Sequence, residues 1–201
     1  MVNTIGAEME LPRGCTAVVI GPGLASKELS SAARESTRRL WQESPLAVIV
    51  DASALEWLPL GPCPEHALRV ITPHPGEAAR MLRTSPAEVQ SNRAKAVRDL
   101  SHEWGNAHVV LKGHQTMIGR SREELFVNCS GNPQLAQGGS GDLLAGYLGG
   151  LLAQPILQKT ASLAIQYAVW QHGAAADLLA ATRPNWTIED LAEVLGSVPS
   201  A

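Results

Sequence analysis

Four short apolar runs constrain this chain more than any other feature: TAVVI at residues 16–20, LAVIV at 46–50, RVIT at 69–72 and HVVL at 108–111. Each is too short for a helix and rich in β-branched residues, as in strands buried on both faces. Helical patterns separate them. Residues 27–42 place Leu29, Ala32, Ala33, Leu40 and Trp41 on one side. A short helix passes through Met81 and Leu82. The capping box of Ser85 and Glu88, with Pro86 at the first helical position, opens a helix to about Trp104. Alternation of this kind predicts an α/β fold, a mostly parallel sheet with helices on both faces. Two shorter strands follow near 116–118 and 125–127. Helices over 142–154 and 156–181 come next, then a last helix capped by Thr187 with Asp190 three residues on. Residues 1–201 read as one domain, because the most loop-like stretch, PLGPCP at 59–64, is too short to divide it.

Composition narrows the function classes. At 45% hydrophobic and 17% charged, the chain fits one soluble domain with a sizeable core. The net charge of -3 and scattered arginines give no basic cluster, so no nucleic-acid partner is expected. No apolar run reaches membrane-spanning length and the first residues lack a leader's apolar core, so no membrane partner is expected. Cys15, Cys63 and Cys129 are unevenly spaced, with no Cys-x-x-Cys pair. That predicts neither a disulfide framework nor a zinc site, and a cytoplasmic setting.

In open α/β sheets, ligands bind beyond the carboxyl ends of the strands. Here the strands end in Gly21-Pro22-Gly23, in Asp51, in His74 and Glu77, and in Lys112. Each has a plain alternative: a simple turn, a cap for the turn at 52–57, a rigid Pro-His-Pro turn, a first-turn acid, a solvated lysine. Their fall on one edge favours a shared site. The segment from Gly131 to Asp142 completes it, since a glycine-rich turn feeding an apolar helix presents free N–H groups and the positive end of a helix dipole to an anion. Asp142 sits where it would repel a bound phosphate. It either complements the dipole or takes a proton from a hydroxyl that attacks the phosphate. Carboxylates, a lysine and a phosphate-binding helix terminus together suit a nucleotide with Mg²⁺. The segment is neither a Walker A loop nor a dinucleotide fingerprint.

These residues resemble the ribokinase-like superfamily, and within it the ADP- or ATP-dependent NAD(P)H-hydrate dehydratases. The match lies in Ile20-Gly21-Pro22-Gly23-Leu24, Asp51-Ala52-Ser53-Ala54-Leu55, Thr72-Pro73-His74-Pro75-Gly76-Glu77, and Gly131-Asn132-Pro133 through Gly138-Gly139-Ser140-Gly141-Asp142. Lys112-Gly113 with Thr116 adds a weaker match. The resemblance implies a ribokinase-like fold and an enzyme that repairs hydrated NADH or NADPH. The ring hydroxyl would be phosphorylated by ADP or ATP with Mg²⁺ and then lost as phosphate. By resemblance, Asp142 is the catalytic base, and the backbone amides of Gly139, Ser140 and Gly141 are the anion hole. Lys112, Gly113, His114, Gln115, Thr116, Asn132 and Gly141 would bind nucleotide. Gly23 and His74 would join Asp142 in contacting the substrate, and Glu77 would help place the metal through water. Ser53 stands where the family commonly has an aspartate. Family domains normally begin well upstream of the Gly-Pro-Gly turn, so the chain is expected to lack the usual N-terminal strands. An open sheet edge of that kind implies a homo-oligomer. Two alternatives stand beside this reading: a catalytically impaired nucleotide-binding module, and another ribokinase-like small-molecule kinase.

Overall fold

The computed structural model describes residues 11–24 and 31–199. Strands β1 (Ala17–Ile20), β2 (Ala47–Val50), β3 (Arg69–Ile71), β4 (His108–Leu111), β5 (Met117–Gly119) and β6 (Phe126–Val127) form one sheet in chain order. β1 to β4 pair in parallel, and β5 and β6 return antiparallel. Every expected strand is present, shifted by no more than a residue at either end. The helices are α1 (Ser31–Glu43), α2 (Pro75–Leu82), α3 (Pro86–Ser91), α4 (Arg93–Glu103), α5 (Ser140–Leu152), α6 (Pro155–Gln158), α7 (Ala161–Thr182) and α8 (Ile188–Val194).

Side-chain alternation along the strands builds a core on each face. Val48, Val50, Ile71, Val109 and Leu111 point to the side covered by Trp41 of α1, Ala78 of α2 and Val97 and Leu100 of α4. Ile49, Val70, Val110 and Ile118 point to the other side, under Leu144 and Leu148 of α5 and Ile165 and Ala168 of α7. β2 is buried throughout, as its unbroken apolar run requires. β1 departs from that expectation: Val19 is 36% exposed, because β1 is the outermost strand among the described residues. Gly149 lets α5 come down on it, since a Cβ there would lie 2.3 Å from Val19 Cγ2.

Two helical readings change, and a third falls partly outside the described residues. The helix expected to run to Trp104 breaks at Asn92, whose backbone leaves the helical region and whose side chain accepts from Lys95 N at 3.0 Å to cap α4. The pattern at 156–181 also divides, between Gln158 and Ala161, into α6 and α7, here without a side-chain cap. α1 is described from Ser31, so Leu29 and the first part of the span at 27–42 lie outside the described residues. The two predicted capping boxes form: Ser85 accepts from Glu88 N, and Thr187 from Asp190 N.

Arg69 opens β3 wholly buried. It donates to the carbonyls of Leu40, Trp41 and Ser44 at the end of α1 and to those of Leu46 and Leu68. The negative end of a helix dipole favours a cation there. The guanidinium thus locks α1 against the starts of β2 and β3, at the edge opposite the strand ends that carry the chemistry.

Candidate active site

The carboxyl ends of β1 to β4 converge as the parallel register requires. After β1, residues 21–24 form a tight turn closed by Leu24 N donating to Gly21 O at 3.0 Å. Gly23 supplies the positive φ of 75° that such a turn demands of its third residue, and it is exposed. Gly21 is a different case. A Cβ on it would lie 1.7 Å from Asp51 O, so the end of β1 touches the end of β2 backbone to backbone.

Asp51 is 1% exposed. It occupies the N-cap position of the 3-10 turn Ala52–Trp57, but its side chain makes no capping bond, which overturns the bland reading of this residue. Its Oδ1 accepts instead from Lys112 Nζ at 2.7 Å and from Thr72 Oγ1 at 2.7 Å. Lys112 thus reaches from the end of β4, across β3, to the end of β2. Its ammonium also lies 4.0 Å from Glu77 Oε2.

His74 and Glu77 are tied first to each other. His74 caps α2: its Nδ1 accepts from Gly76 N at 3.0 Å, while Glu77 Oε2 accepts from His74 N at 2.7 Å. Sequence reasoning treated the two as separate strand-end groups and missed this reciprocal box, although Glu at the fourth position of His-Pro-Gly-Glu is its signature. The His74 ring stays half exposed and Glu77 is buried.

The glycine-rich segment closes over this cluster. Gly139 takes φ 91° and turns the chain into α5. Gly141 comes against the strand ends, where a Cβ would meet Lys112 Nζ at 3.2 Å and Asp51 Oδ2 at 3.7 Å. The helix terminus is therefore cradled directly above the buried Asp51–Lys112 pair. Of the three amides expected to form an anion hole, Ser140 N is engaged with Gln137 O at 3.3 Å. The first-turn amides of a helix have no partner within the helix, so Gly141 N and Asp142 N remain to donate. The Ser140 side chain is buried away from the site, its Oγ 3.4 Å from His172 Nε2. Asp142 is exposed in the first turn of α5, beside these groups.

Lys112, Gly113, His114, Gln115 and Thr116 form a compact loop between β4 and β5. Thr116 Oγ1 donates to Gly113 O at 3.1 Å, and Gly113 and Gln115 both take positive φ. Arg93 braces the loop from below, donating to His114 O and Leu111 O. Asn132 orders its own loop: Oδ1 accepts from Gln134 N and Nδ2 donates to Asp177 Oδ1 at 3.0 Å. Asp177 also accepts from Gly131 N at 2.7 Å. Sequence reasoning missed Arg93, Asp177 and His172. The one legible signal was Asp177, the single acid in α7.

His172 sits under the α5 terminus, its Nε2 3.1 Å from Ser140 O. Burial pulls its pKa down to about 4, and nearby Lys112 adds to the shift against the Ser140 contact. A ring held neutral in the folded chain titrates normally once unfolded. Its stabilisation is therefore whole above about pH 6.5 and is lost as pH falls toward 4. At pH 5 this one ring is expected to cost about 2 kcal/mol. Melting midpoints at pH 7 and pH 5 check this: His172→Gln should show a smaller drop than the parent chain, and an equal drop refutes the assignment.

Among the described residues no group of three His, Cys, Asp or Glu side chains is placed to hold a metal ion. Glu77 spends one oxygen on the His74 amide, whereas Asp51 Oδ2 has no hydrogen-bond partner among the described residues. Such a donor set suits a Mg²⁺ carried in on phosphate and water, which is this ion's common mode of binding. The free first-turn amides and the space a Gly141 Cβ would fill suit a phosphate group.

The family profile described as NAD(P)H-hydrate dehydratase matches residues 3–196. The ADP-dependent (S)-NAD(P)H-hydrate dehydratase of Neisseria meningitidis is 44% identical over 137 residues, covering 66% of this chain and 45% of that protein. A crystal structure of ADP/ATP-dependent NAD(P)H-hydrate dehydratase from Bacillus subtilis, co-crystallised with ATP/Mg²⁺, superposes with a TM-score of 0.79 at 29% identity. It covers 95% of this chain and 66% of that one. A ribokinase-like superfamily protein from Enterococcus faecalis superposes with a TM-score of 0.70 at 28% identity, over 90% of this chain and 62% of that one. The chain thus spans less than half of the Neisseria protein's length and under two thirds of the Enterococcus chain.

Proposed function

This chain belongs to the NAD(P)H-hydrate dehydratase family, with a ribokinase-like fold, and on that premise we propose that it restores hydrated NADH or NADPH at the expense of ADP or ATP. The observation that carries the reading is the pairing of an exposed Asp142 with the free first-turn amides of α5, above the Asp51–Lys112 pair. A first-turn acid suits the helix dipole, but beside a bound phosphate it is repelled, and proton acceptance gives it a role there.

Asp142 accepts the proton of the substrate's ring hydroxyl as that oxygen attacks the terminal phosphorus of the nucleotide. The new O–P bond forms as the bond to the departing nucleotide breaks. Gly141 N and Asp142 N donate to the phosphoryl oxygens, and the helix dipole stabilises their charge. The ring nitrogen lone pair then expels phosphate, and the neighbouring ring carbon gives up a proton to the departing phosphate or to water to restore the double bond. Phosphate leaves readily where hydroxide does not. Gly23 and His74, on the same edge, contact the hydrated cofactor. The loop from Lys112 to Thr116, with Asn132, holds the nucleotide. Asp51 and Glu77 would hold Mg²⁺, through water at Glu77, and the ion supplies charge neutralisation on the phosphates.

The protein incubated with hydrated NADH, Mg²⁺ and either ADP or ATP should regain the absorbance of NADH and release phosphate stoichiometrically. Nucleotide binding without restoration of NADH refutes the reading. Phe126 and Val127 on β6, with Tyr167 and Leu178 on α7, leave apolar surface exposed and support a homo-oligomer, which sedimentation velocity tests. The three free thiols support a reducing cytoplasm, which cell fractionation tests, and no described helix is long and apolar enough to cross a membrane.

A further inference from the structure

At the opposite, amino edge of the sheet lies a cleft of about 610 Å³, well within the range of small-ligand sites. Its roof is the start of α7, where Ala161, Ser162 and Leu163 all line the cleft. The cap residue Thr160 makes no side-chain bond to these amides. A helix of 22 residues therefore presents a first turn of N–H groups without partners to this space.

The floor supplies a second, independent observation. His108, the first residue of β4, is 8% exposed. It shares its side of the sheet with Val110, which packs under α7, so strand alternation turns the ring toward the helix start. Neither ring nitrogen has a hydrogen-bond partner among the described residues, and the ring lines the cleft. With the rest of the ring packed away, its nitrogens are open only toward the cleft. Arg120 bonds Asn106 O and Glu123, and Arg69 is spent on carbonyls, while Glu65 at the rim points into solvent beside His66. Lys159 lines the cleft next to the α7 terminus, exposed and without an ion-pair partner among the described residues.

We propose that this cleft is a second anion site, in which a phosphate or similar small oxyanion group sits on the first turn of α7, accepts from His108 and faces Lys159. The site is separated from the candidate active site by the length of the strands, so the two can be occupied together. Burial and Arg120 hold the His108 ring neutral, with a pKa of about 4, in the absence of an anion. A neutral imidazole still donates one N–H, and an anion bound against it favours its protonation.

Residue-resolved NMR of the full ¹⁵N-labelled chain, titrated with inorganic phosphate at fixed ionic strength, tests this. The amides of Ala161, Ser162 and Leu163 and the His108 ring should shift together on one saturating curve. The curve should be separable from any response at Gly139–Asp142. Lys159→Glu, at an exposed position, should weaken binding at this site by about tenfold, and His108→Leu by a similar factor. Lys159→Glu keeps the test valid should His108→Leu fail to fold. Phosphate shifts confined to Gly139–Asp142, or shifts at α7 that Lys159→Glu leaves unchanged, overturn the proposal.

Discussion

Asp142→Asn is expected to lower turnover of hydrated NADH by about 10² to 10⁴-fold while nucleotide affinity changes little. The asparagine keeps the shape and loses the proton acceptor. Asp142 is exposed, and no hydrogen bond ties its side chain to the rest of the described residues, so no packing or structural bond is lost. Removing a negative charge beside a phosphate site is expected to tighten nucleotide binding slightly. That pattern separates a base from a structural residue. Single-turnover kinetics with calorimetric nucleotide binding reads both quantities. Undiminished turnover removes Asp142 from the role of base, and loss of binding together with turnover assigns it to the fold of the loop instead.

Gly21→Ala is expected to have the largest effect on stability, of about 4 kcal/mol or more, enough to leave a marginal domain largely unfolded. The new Cβ would fall 1.7 Å from Asp51 O, a backbone atom with no rotamer to escape through. Gly21 also takes a φ of 132°, which a side chain disfavours. Relief requires β1 and β2 to separate at their carboxyl ends, and Asp51 is fixed there by Thr72 and Lys112. The damage therefore reaches the candidate site as well as the sheet. Gly23→Ala in the same turn is a fair control, since a Cβ there meets nothing within 4 Å and only the strained φ remains. Denaturant melts of the two variants should rank Gly21→Ala far below Gly23→Ala. Equal midpoints would refute the backbone-contact argument.

The two glycines show how far a sequence can be read. Both belong to one Gly-Pro-Gly turn, and the sequence marks the turn. Only the fold shows that one glycine serves the bend and the other a contact with a strand 30 residues away. Asp51 carries the same lesson with a change of reading. Standing before a helical turn, it looks like a cap. The pairing of β2 with β3, and β3 with β4, brings Thr72 and Lys112 to its carboxylate, and those two partners outcompete the local amides. In His74 and Glu77 the local interaction won instead, because the proline after His74 sets the helix start and leaves its amides to be capped within four residues.

The alternation of β-branched runs with helical segments determined the parallel sheet, its two-sided cover and the edge where chemistry gathers. Those are consequences of periodicity and burial, which are local properties of a sequence. The glycine-rich entry to α5, with its acid, was equally legible because a helix terminus makes its own field. Tertiary structure alone decided which of these groups meet. It joined Asp51 to Lys112 across 61 residues, set Gly141 above them, and hid His172 beneath Ser140 and Asp177 behind Asn132. Such contacts depend on strand register and on how closely helices approach the sheet, and these are fixed only when the whole core packs at once.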